Sequence, residues 1–110
     1  MRLKSGMRSR NKYGAKKTYI DGHRFDSLRE SRRYMDLKLL ERAGEIHSLR
    51  LQVPYLLHVQ GEKIGKYIAD FVYWEGAKEV VEDCKGLRTP IYKWKAKHFK
   101  AEYGQEIRET

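Results

Sequence analysis

Residues 67–74 limit the possible folds of this chain more than any other segment. They read YIADFVYW, and all but one of these residues are apolar. A run so rich in aromatic and β-branched residues predicts a strand in the interior of a sheet. Alternation along that strand would place Ile68, Asp70, Val72 and Trp74 on one face. The exception is Asp70, and a carboxylate in an apolar strand must be paired or must bind a metal ion.

The segments around this strand predict an α/β fold. In chain order we expect a hairpin at 17–26 that turns at Asp21-Gly22, a helix at 27–43, an extended segment at 48–59, a turn at 60–66, the strand at 67–74, a hairpin loop at 75–78, a strand at 79–85, a helix from Thr89 to Gly104, and a short strand at 105–108. The expected architecture is a short mixed β-sheet flanked by helices, in the order helix, three strands, helix, strand.

Residue spacing assigns faces to the two helices. The apolar stripe of the first helix comprises Leu28, Met35 and Leu39, widened by Leu37 and Leu40. The predicted buried face of the second helix comprises Tyr92, Ala96, Phe99 and Tyr103. A basic stripe runs parallel to that face and comprises Lys93, Lys97 and Lys100.

The charge distribution predicts a polyanionic partner. The chain of 110 residues has 24 Lys+Arg and 15 Asp+Glu, for a net charge of +9. Residues 1–26 carry +6 and residues 88–100 carry +5, whereas residues 27–87 are neutral. Nucleic acid is the first choice of partner, with a basic tail that only aids solubility as the alternative. Residues 1–15 lack apolar periodicity, which predicts a flexible basic arm before a single domain at 16–110.

Composition excludes several protein classes. The single cysteine, Cys84, rules out a disulfide framework and a cysteine-rich zinc site. No apolar run reaches the ~18 residues of a transmembrane helix, and no signal-peptide core follows the basic N-terminal residues. We therefore expect a cytoplasmic protein.

A candidate metal site follows from the spacing of acidic residues. Asp83-Cys84-Lys85 comes thirteen residues after Asp70. If their strands pair as a hairpin, Asp70 and Asp83 converge, and alternation points Lys85 the same way as Asp83. Two adjacent carboxylates repel unless a cation lies between them, and Mg²⁺ or Mn²⁺ suits such oxygen ligands. The carbonyl of Cys84 would add a ligand, and Lys85 would orient or activate water beside a scissile phosphate.

This arrangement resembles the PD-(D/E)XK nuclease superfamily, in which an Asp and an Asp/Glu-x-Lys lie on adjacent strands after a helix that often carries a Glu. The matching residues are Glu30, Asp70, Asp83 and Lys85. Residues 11–109 look more narrowly like small phage-encoded members, through NKYGAKKT, FDSLRESRRY, YIADF, VVEDCKG and the Lys-rich last helix. The resemblance implies a restriction-endonuclease-like core and a metal-dependent phosphodiesterase, similar to Holliday-junction resolvases and virus-type replication-repair nucleases. The chain departs from the superfamily pattern at Ala69, the residue before Asp70, where the pattern has Pro.

Each candidate residue also has an ordinary structural interpretation. Glu30 fits the last position of a helix capping box, and Asp70 could form a salt bridge with a basic neighbour. Glu82 would replace Asp83 as the functional acid if the register were shifted, although Glu82 and Lys85 would then point to opposite faces. Lys85 taken alone would be an ordinary lysine at a strand end.

We therefore expect a Mg²⁺- or Mn²⁺-dependent DNA endonuclease, selective for branched DNA in phage recombination, replication or packaging. The expected metal ligands are Glu30, Asp70, Asp83 and Cys84, with Lys85 as a further catalytic residue. The expected phosphate contacts are Lys16, Lys17, Arg88, Lys93, Lys97 and Lys100, so DNA binding should weaken steeply with salt. A homodimer would supply two sites for paired nicks. The alternatives are a non-catalytic nucleic-acid-binding module with the same fold, an RNA-directed protein and a virion assembly protein.

Overall fold

The computed structural model describes residues 17–110. The chain divides into two compact units, one ending at Asp36 and the other running from Leu37 to Thr110. The predicted basic arm at 1–15 and the predicted phosphate contact Lys16 lie outside the described residues. Within residues 17–110, no helix is long and apolar enough to cross a membrane.

The first unit begins with the predicted hairpin. Strands β1 (Thr18–Ile20) and β2 (His23–Phe25) pair antiparallel. Asp21 and Gly22 have φ angles of 53° and 81°, as the two central residues of a type I′ turn require. The Phe25 and Tyr34 rings lie 5.0 Å apart, and the Tyr34 hydroxyl donates to Asp21 Oδ2 at 2.7 Å. These contacts hold the hairpin to the beginning of the first helix.

Helix α1 (Leu28–Arg42) confirms the predicted helix within a residue or two at each end. The Glu30 amide donates to Ser27 Oγ at 3.2 Å, so Ser27 is the N-cap. After the helix, Gly44 takes a left-handed φ of 80°, which glycine adopts without steric cost.

Of the five residues in the predicted apolar stripe of α1, only Leu37 is buried. Leu28, Met35, Leu39 and Leu40 are all exposed. Ser31 and Tyr34 are also buried, and Glu30 is half-buried on the same side. The spacing of leucine and methionine misled the prediction because the large Tyr34 ring decides which side of the helix is covered.

The second unit contains a four-stranded mixed sheet in the order β3 (His47–Val59), β4 (Glu62–Glu75), β5 (Lys78–Asp83) and β6 (Ile107–Glu109). The first three strands are antiparallel neighbours, and β6 runs parallel to β5. The mixed α/β class agrees with the sequence prediction. The predicted turn at 60–66 is wrong, because Gln60 and Gly61 alone make the turn, with φ angles of 50° and 80°. Cross-strand pairing carries residues 62–66 into β4 although Glu62, Gly65 and the two lysines have weak strand propensity.

Helix α2 (Pro90–Tyr103) starts and ends where the sequence predicts. Thr89 Oγ1 accepts from the Tyr92 amide at 3.1 Å, and Gly104 closes the helix at a φ of 71°. The helix covers one face of the sheet, and the core beneath it comprises Leu57, Tyr67, Ala69, Val72, Val81, Tyr92 and Phe99. Tyr103, predicted on the buried face, is exposed instead, and its hydroxyl donates to the Leu56 carbonyl at 2.7 Å.

The alternation of β4 changes at Asp70. Ala69 and Val72 belong to the same core although they are three residues apart, so the four residues predicted to share one face do not. On β3, Gln52 lies between the partners of Ala69 and Phe71, and its φ is 52°. A positive φ is uncommon for a residue other than glycine. The sheet is therefore locally irregular around Asp70.

Candidate active site and nucleic-acid interface

The ends of β4 and β5 bring two carboxylates together. The last paired residues are Phe71 and Glu82, and the next step along both strands is Asp70 opposite Asp83. The two carboxyl groups are close enough for Asp70 to raise the pKa of Asp83. Two of the candidate ligands therefore meet where hairpin pairing predicts.

Asp83 is the buried member of this pair, with 1% of its surface exposed. The Tyr67 hydroxyl donates to its Oδ2 atom, and Lys85 Nζ lies 3.6 Å from its Oδ1 atom. Burial, and after it the neighbouring Asp70 carboxyl, raise the pKa of Asp83 to about 7. Burial and Asp83 also raise the pKa of Tyr67 far above its usual range, so Tyr67 stays protonated and donates.

Asp70 is half-buried and is held by two N–H donors. The Cys84 amide donates to Oδ2 at 3.0 Å, and Gln52 Nε2 donates to Oδ1 at 3.3 Å. Both donors are uncharged. A fixed carboxylate therefore lies beside Asp83, and its position depends on the irregular stretch of β3 that contains Gln52.

Lys85 lies two residues past the end of β5, which stops at Asp83 and not at the predicted residue 85. Its ammonium lies 4.2 Å from the centre of the Tyr92 ring, a distance typical of a cation–π contact. Its backbone amide donates to the Thr110 carbonyl at 3.2 Å, and the Thr110 amide donates to the Asp83 carbonyl at 2.9 Å. The extension of β6 therefore holds the segment from Asp83 to Lys85 in place.

The alternative acid Glu82 has a separate set of partners. It is fully buried, and it accepts from the Tyr73 hydroxyl at 2.5 Å and from Thr110 Oγ1 at 3.0 Å. The Tyr73 hydroxyl also accepts from Arg108 at 3.3 Å. These contacts tie β6 to the neighbouring strands, so the geometry favours Asp83 over Glu82 as the acid beside Lys85.

The structure does not test two of the predicted metal ligands, Glu30 and the Cys84 carbonyl. Glu30 belongs to the first unit, and its role as a ligand stays a prediction, as does that of the Cys84 carbonyl. Across residues 17–110, no three His, Cys, Asp or Glu side chains are grouped so that they could hold a metal ion. The Asp70–Asp83 pair nevertheless fits Mg²⁺ or Mn²⁺, which bind through one or two carboxylates together with substrate phosphate and water.

A groove of about 310 Å³ is lined by Tyr67 and Lys85, the two residues that contact Asp83, although neither Asp70 nor Asp83 lines it. We call it the site groove, and its side walls comprise Lys66, Ile68, Lys85, Ile91 and Lys95. Sequence reasoning missed Lys66 and Lys95. The signal for Lys66 was present, because Lys66, Ile68 and Asp70 alternate along one strand. Lys95 lies outside the predicted basic stripe of α2, which follows the side of the helix away from this groove.

A second groove, of about 570 Å³, brings together four predicted phosphate contacts. We call it the C-terminal groove, and its charged residues are Arg88, Lys93, Lys97, Lys100, Glu106 and Glu109. Lys100 pairs with Glu106 at 3.1 Å, and Arg88 pairs with Glu109 at 3.4 Å. Lys17 is exposed in the first unit. The predicted basic stripe therefore lies along this groove, and one of its lysines, Lys100, is paired with an acidic residue of the same groove.

The raised pKa of Asp83 predicts how stability depends on pH in metal-free protein. A carboxyl that stays protonated in the folded state stabilises the fold below its unfolded pKa, and this contribution is lost as pH rises through the folded pKa. For Asp83, this loss of stability takes place between pH 3.8, its ordinary pKa, and about pH 7, its pKa in the folded protein. The pKa values of Glu41 and Glu102 are lowered by hydrogen bonds, so their contributions change only below 4.5.

We therefore expect the free energy of unfolding in EDTA to fall by about 2–4 kcal/mol between pH 5 and pH 8. Urea unfolding of the wild type and of Asp83→Asn at both pH values measures this change. The variant should show a flatter profile, because it removes the titrating group. If the unfolding free energies of the two proteins changed equally with pH, Asp83 would not be the titrating group.

The sequence-family model described as "Protein of unknown function (DUF1064)" matches residues 10–110. The match covers most of the chain, including the strands that carry Asp70 and Asp83. Comparison with curated proteins and with solved structures gives no match.

Proposed function

This chain belongs to the DUF1064 family, and we propose that it is a divalent-metal-dependent endonuclease that hydrolyses phosphodiester bonds in DNA, with a preference for branched DNA. The observation that carries this proposal is the meeting of Asp70, Asp83 and Lys85 at one end of a β-hairpin. Two carboxylates with a lysine ammonium 3.6 Å from one of them combine metal ligands with a group that neutralises developing negative charge.

The side chains around the pair have separate tasks in this mechanism. Asp70 and Asp83 would hold Mg²⁺ or Mn²⁺, which supplies Lewis-acid activation of the phosphate and of the attacking water. Tyr67 donates to one oxygen of Asp83, and the Cys84 amide donates to one oxygen of Asp70. These two donors orient the carboxylates before substrate arrives, which lowers the cost of reorganisation during the reaction.

Lys85 acts on the phosphate and on the water. Its ammonium lies over the Tyr92 ring as well as beside Asp83, and both contacts favour its place next to that carboxylate. A cation fixed there orients the attacking water and offsets the negative charge that grows on the phosphate oxygens. The ion pair with Asp83 and the aromatic contact together define its position.

Both grooves can bind DNA phosphates that are remote from the scissile bond. Lys66 and Lys95 lie on the walls of the site groove that contains Lys85. Lys93 and Lys97 lie along the C-terminal groove. Because both grooves contact Tyr92 on α2, two lengths of backbone could pass on different sides of this helix. Two separate tracks favour a branched substrate over a single continuous duplex.

A cleavage panel tests the proposal. Four-way junction, flap, linear duplex, single-stranded DNA and RNA are each incubated with protein in Mg²⁺, Mn²⁺ or EDTA, and the products are separated on gels. We expect cleavage of branched DNA that requires metal and that is at least about tenfold faster than cleavage of linear duplex. Tight, salt-sensitive binding without cleavage of any substrate would contradict the enzyme and favour a binding module. Preferential cleavage of RNA would contradict DNA as the substrate.

A further inference from the structure

Two isoleucines are exposed on the walls of the site groove. Ile68 on β4 is 42% exposed, and Ile91 in the first turn of α2 is 67% exposed. Both line the groove that contains Lys85. A single exposed apolar residue is ordinary, but apolar walls facing a concave site next to the candidate chemistry indicate contact with an apolar part of a ligand.

The rest of the groove defines the chemistry of that ligand. Tyr67 and Tyr92 also line it, and both are buried. Three lysines, Lys66, Lys85 and Lys95, lie along it, and none of its lining residues in the described part of the chain is acidic. The C-terminal groove differs in this respect, because it contains Glu106 and Glu109. The ligand of the site groove must therefore be anionic and must also present an apolar surface.

We propose that the site groove binds an unstacked nucleotide of the DNA strand, with its base against Ile68 and Ile91 and its neighbouring phosphates at Lys66 and Lys95. A nucleotide combines the two required properties. A base inside an intact duplex is paired and stacked, so its faces cannot reach these walls. This inference rests on the proposed nuclease and narrows its substrate to DNA with an unpaired nucleotide beside the scissile phosphate.

The energy of base unstacking supports this choice of substrate. Extraction of a base from a duplex costs a few kcal/mol, and the cost is smallest where the base is already unpaired. Isoleucine side chains are among those that proteins place against unstacked base steps. The walls of the groove would therefore favour a branch point, a flap or a single strand over continuous duplex, without any base-specific contact.

The test is a binding measurement in EDTA, so that its result does not depend on cleavage. The probe is DNA with 2-aminopurine, a base whose fluorescence reports loss of stacking, placed at an unpaired position of a fork or at the same position of a duplex. We expect the wild type to bind the fork at least about tenfold more tightly than the duplex and to change the fluorescence of the fork. Ile68→Ala and Ile91→Ala should each weaken fork binding about three- to tenfold.

Ile64→Ala is the matched control for these variants. Ile64 lies on the same strand as Ile68 and is 45% exposed, yet it is outside the site groove. We expect it to bind the fork like the wild type. Equal affinity for fork and duplex, an unchanged fluorescence signal, or an equal loss in all three variants would overturn the inference. If the protein binds the fork selectively but cleaves no substrate, the nucleotide-binding site is supported and the nuclease proposal is rejected. Failure of this inference and failure of the proposed function are therefore distinguishable.

Discussion

Asp83→Asn should lower the rate of metal-dependent DNA cleavage by at least about 10³-fold while leaving DNA binding intact. The substitution removes one of two adjacent carboxylates, and metal activation of a phosphoryl group is worth several kcal/mol, each 1.36 kcal/mol being a factor of ten in rate. Asparagine keeps the shape of the side chain and an oxygen that accepts from Tyr67. The fold should therefore be retained, and the metal-free variant should be more stable than the wild type at pH 8.

Single-turnover cleavage rates and fluorescence anisotropy separate these effects. Affinity for DNA should stay the same or increase, because a negative charge that faces phosphate is lost. Asp36→Asn is the matched control, since Asp36 is an exposed carboxylate on α1. We expect it to cleave like the wild type. A rate for Asp83→Asn within about tenfold of the wild type would show that Asp83 is not a ligand of the catalytic metal.

Lys85→Met should lower the cleavage rate by about 10²–10³-fold, the usual effect of removing one preorganised group that stabilises transition-state charge. Methionine keeps an unbranched apolar side chain of similar length, so the change removes the charge, and with it the cation–π contact with Tyr92, at little cost in volume. The ammonium also lowers the pKa of Asp83. In the variant, the pH dependence of metal-free stability should therefore shift to higher pH.

The control for this prediction is Lys78→Met. Lys78 is an exposed lysine at the start of β5, so the variant loses the same charge from the same strand away from the carboxylates. We expect its rate to lie within about twofold of the wild type. If both variants lose activity equally, the loss comes from the lower net charge of the protein and not from the position of Lys85 beside Asp83.

The carboxylate pair was the part of the site most accessible to sequence reasoning. A short hairpin between two strong strands leaves few registers, and burial of apolar residues on both strands selects among them. The neighbours of Lys85 were harder to find, because Thr110 reaches the site from a distant part of the chain. Counting charges along α2 found the lysines of the C-terminal groove and missed Lys95, since charge spacing does not show which helix side borders a cavity.

The first helix shows a different limit of sequence reasoning. Met35 and the leucines of this helix are spaced as an apolar stripe, yet Leu37 is the only one of them that is buried, together with Tyr34. The ring of Tyr34 lies close to Phe25 and its hydroxyl donates to Asp21. These partners belong to a hairpin whose position relative to the helix cannot be read from helix periodicity alone.

The parallel pairing of β6 with the end of β5 has a consequence for protein synthesis. A ribosome that has translated Lys85 has produced every candidate catalytic side chain, but the residue that bonds to the backbone on either side of Cys84, Thr110, is still 25 codons away. At about 5–20 residues per second, the nascent chain spends one to several seconds in this state. The candidate site is therefore among the last parts of the domain to be completed, and a chain stalled before β6 would carry its residues without their working arrangement.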